Sequence, residues 1–241
     1  MQWGGSLTAF RPIRVIQMTE RLWGILVDSF PKMLGYGVQV TIPLTILSFA
    51  LALAVALVVA LIQYAGVKVL RQICRFYIWI VRGTPLLVQL YIVFYGLPKV
   101  GIVLDAFPAA VIVLGLNEAA YMAETIRGTL EGVSIGQLEA GYCVGMTYGK
   151  IMWHVVLPQA LRTAFPALSN SMISMLKETS MAATITVMEM FRQAQVINGR
   201  VYEPLALYVE AALIYLMFCT ILTWLQHRGE KKLRSYGGAR T

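Results

Sequence analysis

The chain has 241 residues, 58% of them hydrophobic and 13% charged, against roughly a quarter charged in soluble domains. That balance excludes an ordinary water-exposed surface. The net charge of +8 does not indicate nucleic acid, because the Lys and Arg residues fall between apolar stretches instead of forming one basic face with interleaved aromatics.

A hydrocarbon core about 30 Å thick is crossed by roughly 20 apolar helical residues. On that measure the sequence predicts an all-α membrane protein forming one domain over 1–241, with five transmembrane helices, an N-terminal interfacial helix and a long internal loop. Residues 1–16 contain no continuous apolar run of the kind a cleavable signal peptide needs. Residues 19–34 mix charges with Leu22, Trp23, Leu26, Val27 and Phe30, a spacing that suits a helix lying on the membrane. The first span is 38–62, which has no charged residue.

Lys68, Arg71 and Arg75 follow, and then a second span over 73–97 that is interrupted at Arg82, Gly83, Thr84 and Pro85. Proline removes a backbone donor there, and freed carbonyls are tolerated at membrane depth only where protein or water satisfies them. The interruption reads as a hinge or a cavity wall. The third span, 107–130, carries Asn117, Glu118, Tyr121 and Glu124; the fourth, 165–190, carries Lys177, Glu178, Thr179 and Ser180. The fifth, 204–225, is apolar apart from Glu210 and ends in His227, Arg228, Lys231, Lys232 and Arg234. An excess of basic residues marks cytoplasmic flanks, so five spans put the C-terminus inside and the N-terminus outside. Arg11, Arg14, Arg21 and Lys32 run against that orientation.

Between the third and fourth spans, residues 131–162 are too polar to cross and too long for a plain turn. Their periodicity predicts two short amphipathic helices, over 134–146 and 150–156, with Pro158 ending the second. The loop is a cytoplasmic helical platform. Its Gly145 to Lys150 stretch is no phosphate loop: the spacing is one residue short, Ile151 replaces Ser or Thr, and no strand precedes it. Gly141, Gly145 and Gly149 read as tight loop packing or as contact with a partner.

An ionisable side chain at the centre of a spanning helix costs about 2.5–3.5 kcal/mol on insertion scales and is kept chiefly beside partners or water. Asn117, Tyr121 and Glu124 share one helical face, with Glu118 about 100° away. That face either lines a polar cavity or leaves Glu124 paired with Arg82 or Arg127. Lys177 and Glu178 are open to the same two readings, interhelical pairing or contact with cargo. Cys74, Cys143 and Cys219 lack metal-ligand spacing and read as packing residues. No metal site is expected. Both histidines, His154 and His227, fall in predicted cytoplasmic segments, so no catalytic residue is expected either.

Inside the platform, Glu139, Ala140 and Gly141 are followed after three residues by Gly145, and after nine more by Val155, Val156, Leu157 and Pro158. This spacing resembles the cytoplasmic loop of bacterial binding-protein-dependent ABC importer permeases, whose pattern is Glu-Ala-Ala, three residues, Gly, nine residues, Ile, any residue, Leu-Pro. Gly141 and Val155 depart from the pattern in identity. Three further stretches are similar to the polar amino-acid branch: Arg82 to Leu90 including Gln89, Ala120 to Gly128, and Leu157 to Arg162 with Leu176 to Ser180. The resemblance covers most of 82–189, and the rest of the chain matches in hydropathy alone.

The resemblance implies half of a translocation pathway for polar amino acids in the cytoplasmic (inner) membrane, coupled through Glu139, Ala140, Gly141, Gly145, Leu157 and Pro158. It implies a substrate path along Gln89, Asn117, Glu118, Tyr121, Glu124, Glu178, Thr179 and Ser180. The implied partners are a dimeric ATP-binding cassette ATPase, a second permease copy or paralogue, an extracytoplasmic amino-acid-binding protein and the bilayer. The chain itself is expected to bind no cofactor, ATP and Mg belonging to the ATPase. The substrate amino acid, and the choice between homodimer and heterodimer, stay open.

Overall fold

The structure is a computed structural model that describes residues 12–235, with side chains over 20–233. Arg11, the side chain of Arg14 and the two chain ends, whose sidedness the basic residues predict, lie outside the described residues. Among those described, every regular element is helical.

Helix α1 (Pro12–Tyr36) does not stop where the expected interfacial helix ends. It passes through a π turn (Gly37–Thr41) directly into α2 (Ile42–Ala65), so the amphipathic stretch and the first span form one unbroken helical path. Gly66, at φ +74°, ends it in the left-handed conformation that glycine adopts without strain. Helix α3 (Lys68–Gly83) then meets α4 (Leu86–Tyr91) at a bend of 104°. A π turn (Ile92–Gly96) and a 3-10 turn (Leu97–Val100) lead to α5 (Ala106–Glu131).

The platform comprises α6 (Ile135–Cys143), α7 (Tyr148–Ile151) and a π turn (Met152–Val156), which runs without a break into α8 (Leu157–Glu178). A 3-10 turn (Thr179–Ile185) leads to α9 (Met190–Val201) and α10 (Pro204–Ser235). Glu20–Ala65, Ala106–Glu131 and Pro204–Leu233 are long and apolar enough to cross a membrane, and the bent α3/α4 pair makes a fourth span if it counts as one. The expected fourth span over 165–190 divides between α8, its 3-10 extension and the start of α9, and α8 is not among the helices that pass on composition. Arg162, Ser169, Asn170, Ser171, Ser174, Lys177 and Glu178 make it too polar to read as a span by hydropathy.

Each of the three π turns precedes a proline. Ile42 N–H donates to Gly37 O, Leu97 N–H to Ile92 O and Leu157 N–H to Met152 O, and the next residue in each case is Pro43, Pro98 or Pro158. A proline ring clashes with the carbonyl four residues back, and the wider turn moves that carbonyl aside. Pro158 therefore does not end the second platform helix, as its position suggests; it sits in the first turn of α8.

Helix α2 packs most extensively on α5. Ser48, Ala52, Ala56 and Ala60 face Gly115, Ala119, Ala120 and Ala123, all small and buried. A Cβ on Gly115 would stand 2.8 Å from Leu51 Cδ2 and 3.1 Å from Ser48 O, so the two backbones touch closely, as small-residue packing allows in membranes. A second apolar cluster joins α1, α9 and α10 through Met33, Met190, Ala194, Ala211, Ile214 and Phe218.

Glu189 holds that second cluster to the first span. Fully buried at the start of α9, its carboxylate accepts from Arg192 N–H at 2.6 Å, Tyr215 O–H at 2.8 Å and Thr41 O–H at 3.5 Å, and Thr41 Oγ1 accepts from Met190 N–H at 3.2 Å. One side chain thus caps α9 and ties the π turn below α1 to α10. Of the cysteines, Cys74 is buried and Cys219 half-buried, in keeping with packing, but Cys143 is exposed at the end of α6.

Candidate substrate cavity and coupling platform

The three segments singled out for their polarity meet around one cavity of about 790 Å³. The α3/α4 break contributes Arg82, Gly83, Thr84 and Pro85, α5 contributes Asn117, Glu118 and Tyr121, and α8 contributes Asn170, Ser171, Ser174 and Glu178. The volume lies within the range that small-molecule sites occupy. Arg82 stacks its guanidinium 5.1 Å from the centre of the Tyr121 ring, a cation–π contact. The wall therefore offers one cation, the carboxylates Glu118 and Glu178, the amides Asn117 and Asn170, and several hydroxyls. By contrast, a cleft of about 610 Å³ between α1 and α10 is lined by Trp23, Leu26, Phe30 and Leu213, and its one carboxylate, Glu210, is taken by Ser29 O–H. That cleft is otherwise apolar.

Gln89 stands behind the wall and makes the break possible. Pro85 has no N–H to give the Val81 carbonyl four residues back; Gln89 Nε2 gives that bond instead, at 2.9 Å, and also reaches Thr84 O at 3.2 Å and Thr84 Oγ1 at 2.8 Å. Gln89 Oε1 accepts from Asn117 Nδ2 at 3.0 Å, so the same side chain fixes a cavity residue. Thr84 O–H donates to Ile80 O at 2.9 Å.

Other expected path residues sit elsewhere. Glu124 is absent from the cavity lining: it accepts from Arg127 Nε at 3.2 Å and Nη2 at 2.8 Å and from Gln63 Nε2 at 3.2 Å, while Arg127 Nη1 bonds Glu131 at 2.7 Å. It shares the Asn117 face but lies seven residues, about 10 Å, further along the axis. Thr179 is fully buried and donates to Leu176 O at 2.7 Å. Ser180 donates to Lys177 O at 2.7 Å and borders a separate cavity. Asn170, Ser171 and Ser174 were missed, although Asn170, Ser174 and Glu178 repeat every four residues, the spacing of one helical stripe.

The platform explains its own glycines. Helix α6 opens with Ser134 Oγ accepting from Gly136 N–H at 3.3 Å and closes with Gly145 N–H to Tyr142 O at 2.9 Å and Met146 N–H to Gly141 O at 3.0 Å. Those two bonds, with Gly145 at φ +75°, are a Schellman motif, which favours glycine at that position. Gly141 is buried, and a Cβ there would stand 2.7 Å from Ile151 Cγ1 and 2.8 Å from Cδ1; Ile151 fills the space an Ala would take. Leu157 is buried in the main core cluster while Glu139, Ala140, Tyr142, Val144 and Trp153 are exposed. Glu139 makes no hydrogen bond or ion pair with the described residues. Platform and cavity are joined mechanically, because the helical path from Tyr148 through Pro158 reaches Ser174 and Glu178.

Residues 52–235 match the family described as binding-protein-dependent transport system inner membrane component. The L-cystine transport system permease protein TcyB of Bacillus subtilis is 46% identical over 215 residues, covering 89% of this chain and 92% of that protein. The probable amino-acid ABC transporter permease protein YckA of Bacillus subtilis is 35% identical over 210 residues, covering 87% and 92%. Among solved structures, a crystal structure of an amino acid ABC transporter with histidines aligns with a TM-score of 0.73 at 31% identity, covering 91% of this chain and 97% of that one.

Two substitutions test the geometry. Gln89→Leu strips two carbonyls and Asn117 of their partner, and a buried polar group left unpaired costs about 1–3 kcal/mol; the purified complex is expected to melt several degrees lower, and an unchanged melting temperature refutes the role. Glu124→Gln removes the negative charge that pairs with Arg127, leaving it Glu131 and a neutral amide oxygen, without touching the cavity, so the melting temperature falls while substrate affinity holds. Loss of affinity at unchanged stability would put Glu124 back on the path.

Proposed function

The chain belongs to the binding-protein-dependent transport system inner membrane components and is a permease subunit, not an enzyme; on that premise we propose that it forms half of the translocation pathway of an importer for polar amino acids. The observation that carries the substrate class is the cavity between the α3/α4 break, α5 and α8. Arg82 matches an α-carboxylate, Glu118 and Glu178 match ammonium or other cationic groups, and Asn117 and Asn170 complete the polar wall. Relatives named for amino-acid transport, L-cystine among them, support this reading.

ATP and Mg belong to a separate cassette ATPase, which docks on the platform. The small, buried Gly141 brings α6 close to α7, and Glu139 with its exposed apolar neighbours forms the contact, paired with a basic groove on the ATPase. Movement of the platform then reaches the cavity wall through α8, since a continuous helix transmits displacement along its axis. An extracytoplasmic binding protein delivers the substrate. The N-terminus lies outside and the C-terminus inside, with five crossings: the α1/α2 path, the α3/α4 pair, α5, α8 with its 3-10 extension, and α10. The part of α1 before the π turn lies at the interface.

The coupling role is tested with Glu139→Lys in the reconstituted complex. Reversing a charge at an interface costs several kcal/mol when it faces like charge, so ATP-driven amino-acid uptake into proteoliposomes should fall at least about tenfold. Full assembly with undiminished uptake would remove Glu139 from the contact. The orientation is tested by single cysteines in a chain without its native ones. A cysteine at exposed Tyr202 should react with an impermeant thiol reagent from outside, and one at exposed Val144 only after permeabilisation; the reverse pattern overturns the topology.

A further inference from the structure

Arg162 belongs to the Leu157–Arg162 stretch, yet it does not line the polar cavity. It is exposed in the second turn of α8, and it makes no hydrogen bond or ion pair with the described residues. Arg162, Phe165, Ser169 and Ile173 fall on one stripe of that helix. The last three line a cleft of about 320 Å³ that α8 shares with Leu53 of α2 and with Leu222 and Leu225 of α10. Its lining is apolar apart from Ser169 and Gln226, and the Gln226 amide is occupied, donating to Pro166 O at 3.4 Å and to Glu230 at 2.9 Å. Leu53 and Leu225 are exposed, so the cleft opens at the protein surface.

Its dimensions decide what fills it. From Phe165 to Ile173 the cleft follows α8 for about 12 Å, most of the roughly 15 Å that one leaflet contributes to the hydrocarbon core. A volume of about 320 Å³ over that length leaves a slot roughly 5 Å wide. A single hydrocarbon chain fits such a slot at carbon–carbon contacts of about 4 Å, whereas a helix of about 10–12 Å does not. The platform end of the slot is basic. A Cβ on Gly229 would stand 2.7 Å from Phe165 Cζ, so α8 and α10 touch there. Their antiparallel course brings Arg162 level with exposed Lys232, three residues beyond that contact on each helix. Arg228, stacked 3.8 Å over the centre of the Trp224 ring, and exposed Lys231 stand on the neighbouring faces of α10. The carboxylate of these turns, Glu230, already accepts from Gln226 and lies 3.8 Å from His227 Nδ1.

We propose that this slot holds one acyl chain of an anionic phospholipid from the leaflet on the platform side, with the phosphate on Arg162 and Lys232. The apolar slot and its cationic rim select the occupant together. A guanidinium fork matches phosphate oxygens, and basic side chains grouped at a membrane surface attract anionic lipid. A zwitterionic headgroup carries its own ammonium and gains less from the same rim. Held in this way, the lipid ties the first turns of α8 to the last turns of α10, and α8 is the helix that joins the platform to the polar cavity. The proposal goes beyond the importer reading and requires only that the chain spans a bilayer.

The test uses the full chain in complex with its ATPase, reconstituted into equimolar phosphatidylglycerol and phosphatidylcholine, re-extracted in mild detergent and weighed by native mass spectrometry. Phosphatidylglycerol should be retained over phosphatidylcholine at least about fivefold, and Arg162→Gln should abolish that preference. Ser169→Leu, which fills the slot and leaves the cations in place, should lose the bound lipid as well. Lys99→Gln, which removes one positive charge beyond the far end of α5, should keep it. Because Arg162 is exposed, its substitution leaves the fold intact and keeps the test decisive if the slot variant fails to assemble. Equal retention of the two lipids by the unmodified complex, or the same loss in Lys99→Gln as in Arg162→Gln, overturns the proposal. So does a cysteine at Leu225 that cross-links two copies of the chain, because protein then covers the slot.

Discussion

Inside a bilayer there is no water to take up a loose backbone carbonyl, so every departure from a regular helix has to be answered by the protein itself. This chain departs from regularity at four of its prolines, while Pro31 and Pro166 lie inside regular α-helix, and it answers in two ways. Before Pro43, Pro98 and Pro158 the helix widens by one residue, and the ladder switches to longer-range bonds. At Pro85 it breaks and turns through 104°, and the amide of Gln89 takes the place of the missing donor. The first answer keeps long rods intact; the second creates a corner, and the cavity forms at that corner.

The position of the cavity follows from how α5 divides its surface. One face is a run of Gly and Ala that lets α2 come to backbone contact. A helix packed that closely on one side has its larger polar side chains concentrated on the other, and Asn117, Glu118 and Tyr121 look across to the stripe Asn170, Ser174, Glu178 on α8. The polar stripe of α8 faces other polar groups across the cavity, and the same residues leave its composition short of an ordinary span. The same helical path begins in the platform, so the platform and the cavity wall are two ends of one rod.

Much of this was legible in the sequence. The spans around 38–62, 107–130 and 204–225 appear as helices, because apolar runs of that length have no other stable form in lipid. The break at Arg82 to Pro85 lies where the proline put it, and Asn117, Glu118, Tyr121 and Glu178 do share a cavity. Periodicity gives a direction around the helix axis, however, and not a distance along it. That is why Glu124, on the face of Asn117 but two turns further on, goes to Arg127 and Gln63 instead. The resemblance placed Gln89 on the substrate path; its amide bonds Val81 O, Thr84 and Asn117 behind the cavity wall.

The sequence by itself determined the solvent, the helical class, the break and the spacing of the platform motif, because each of these is local: it depends on residues within a few turns of one another. Only the tertiary structure decided which polar side chains face one another. Contacts between segments tens of residues apart set the close approach of α2 to α5. They also determined that Gly141 makes room for Ile151 and that Glu189 joins the first span to the last. A buried polar group is satisfied by whichever partner the packing brings within about 3 Å, and no one-dimensional pattern states that distance.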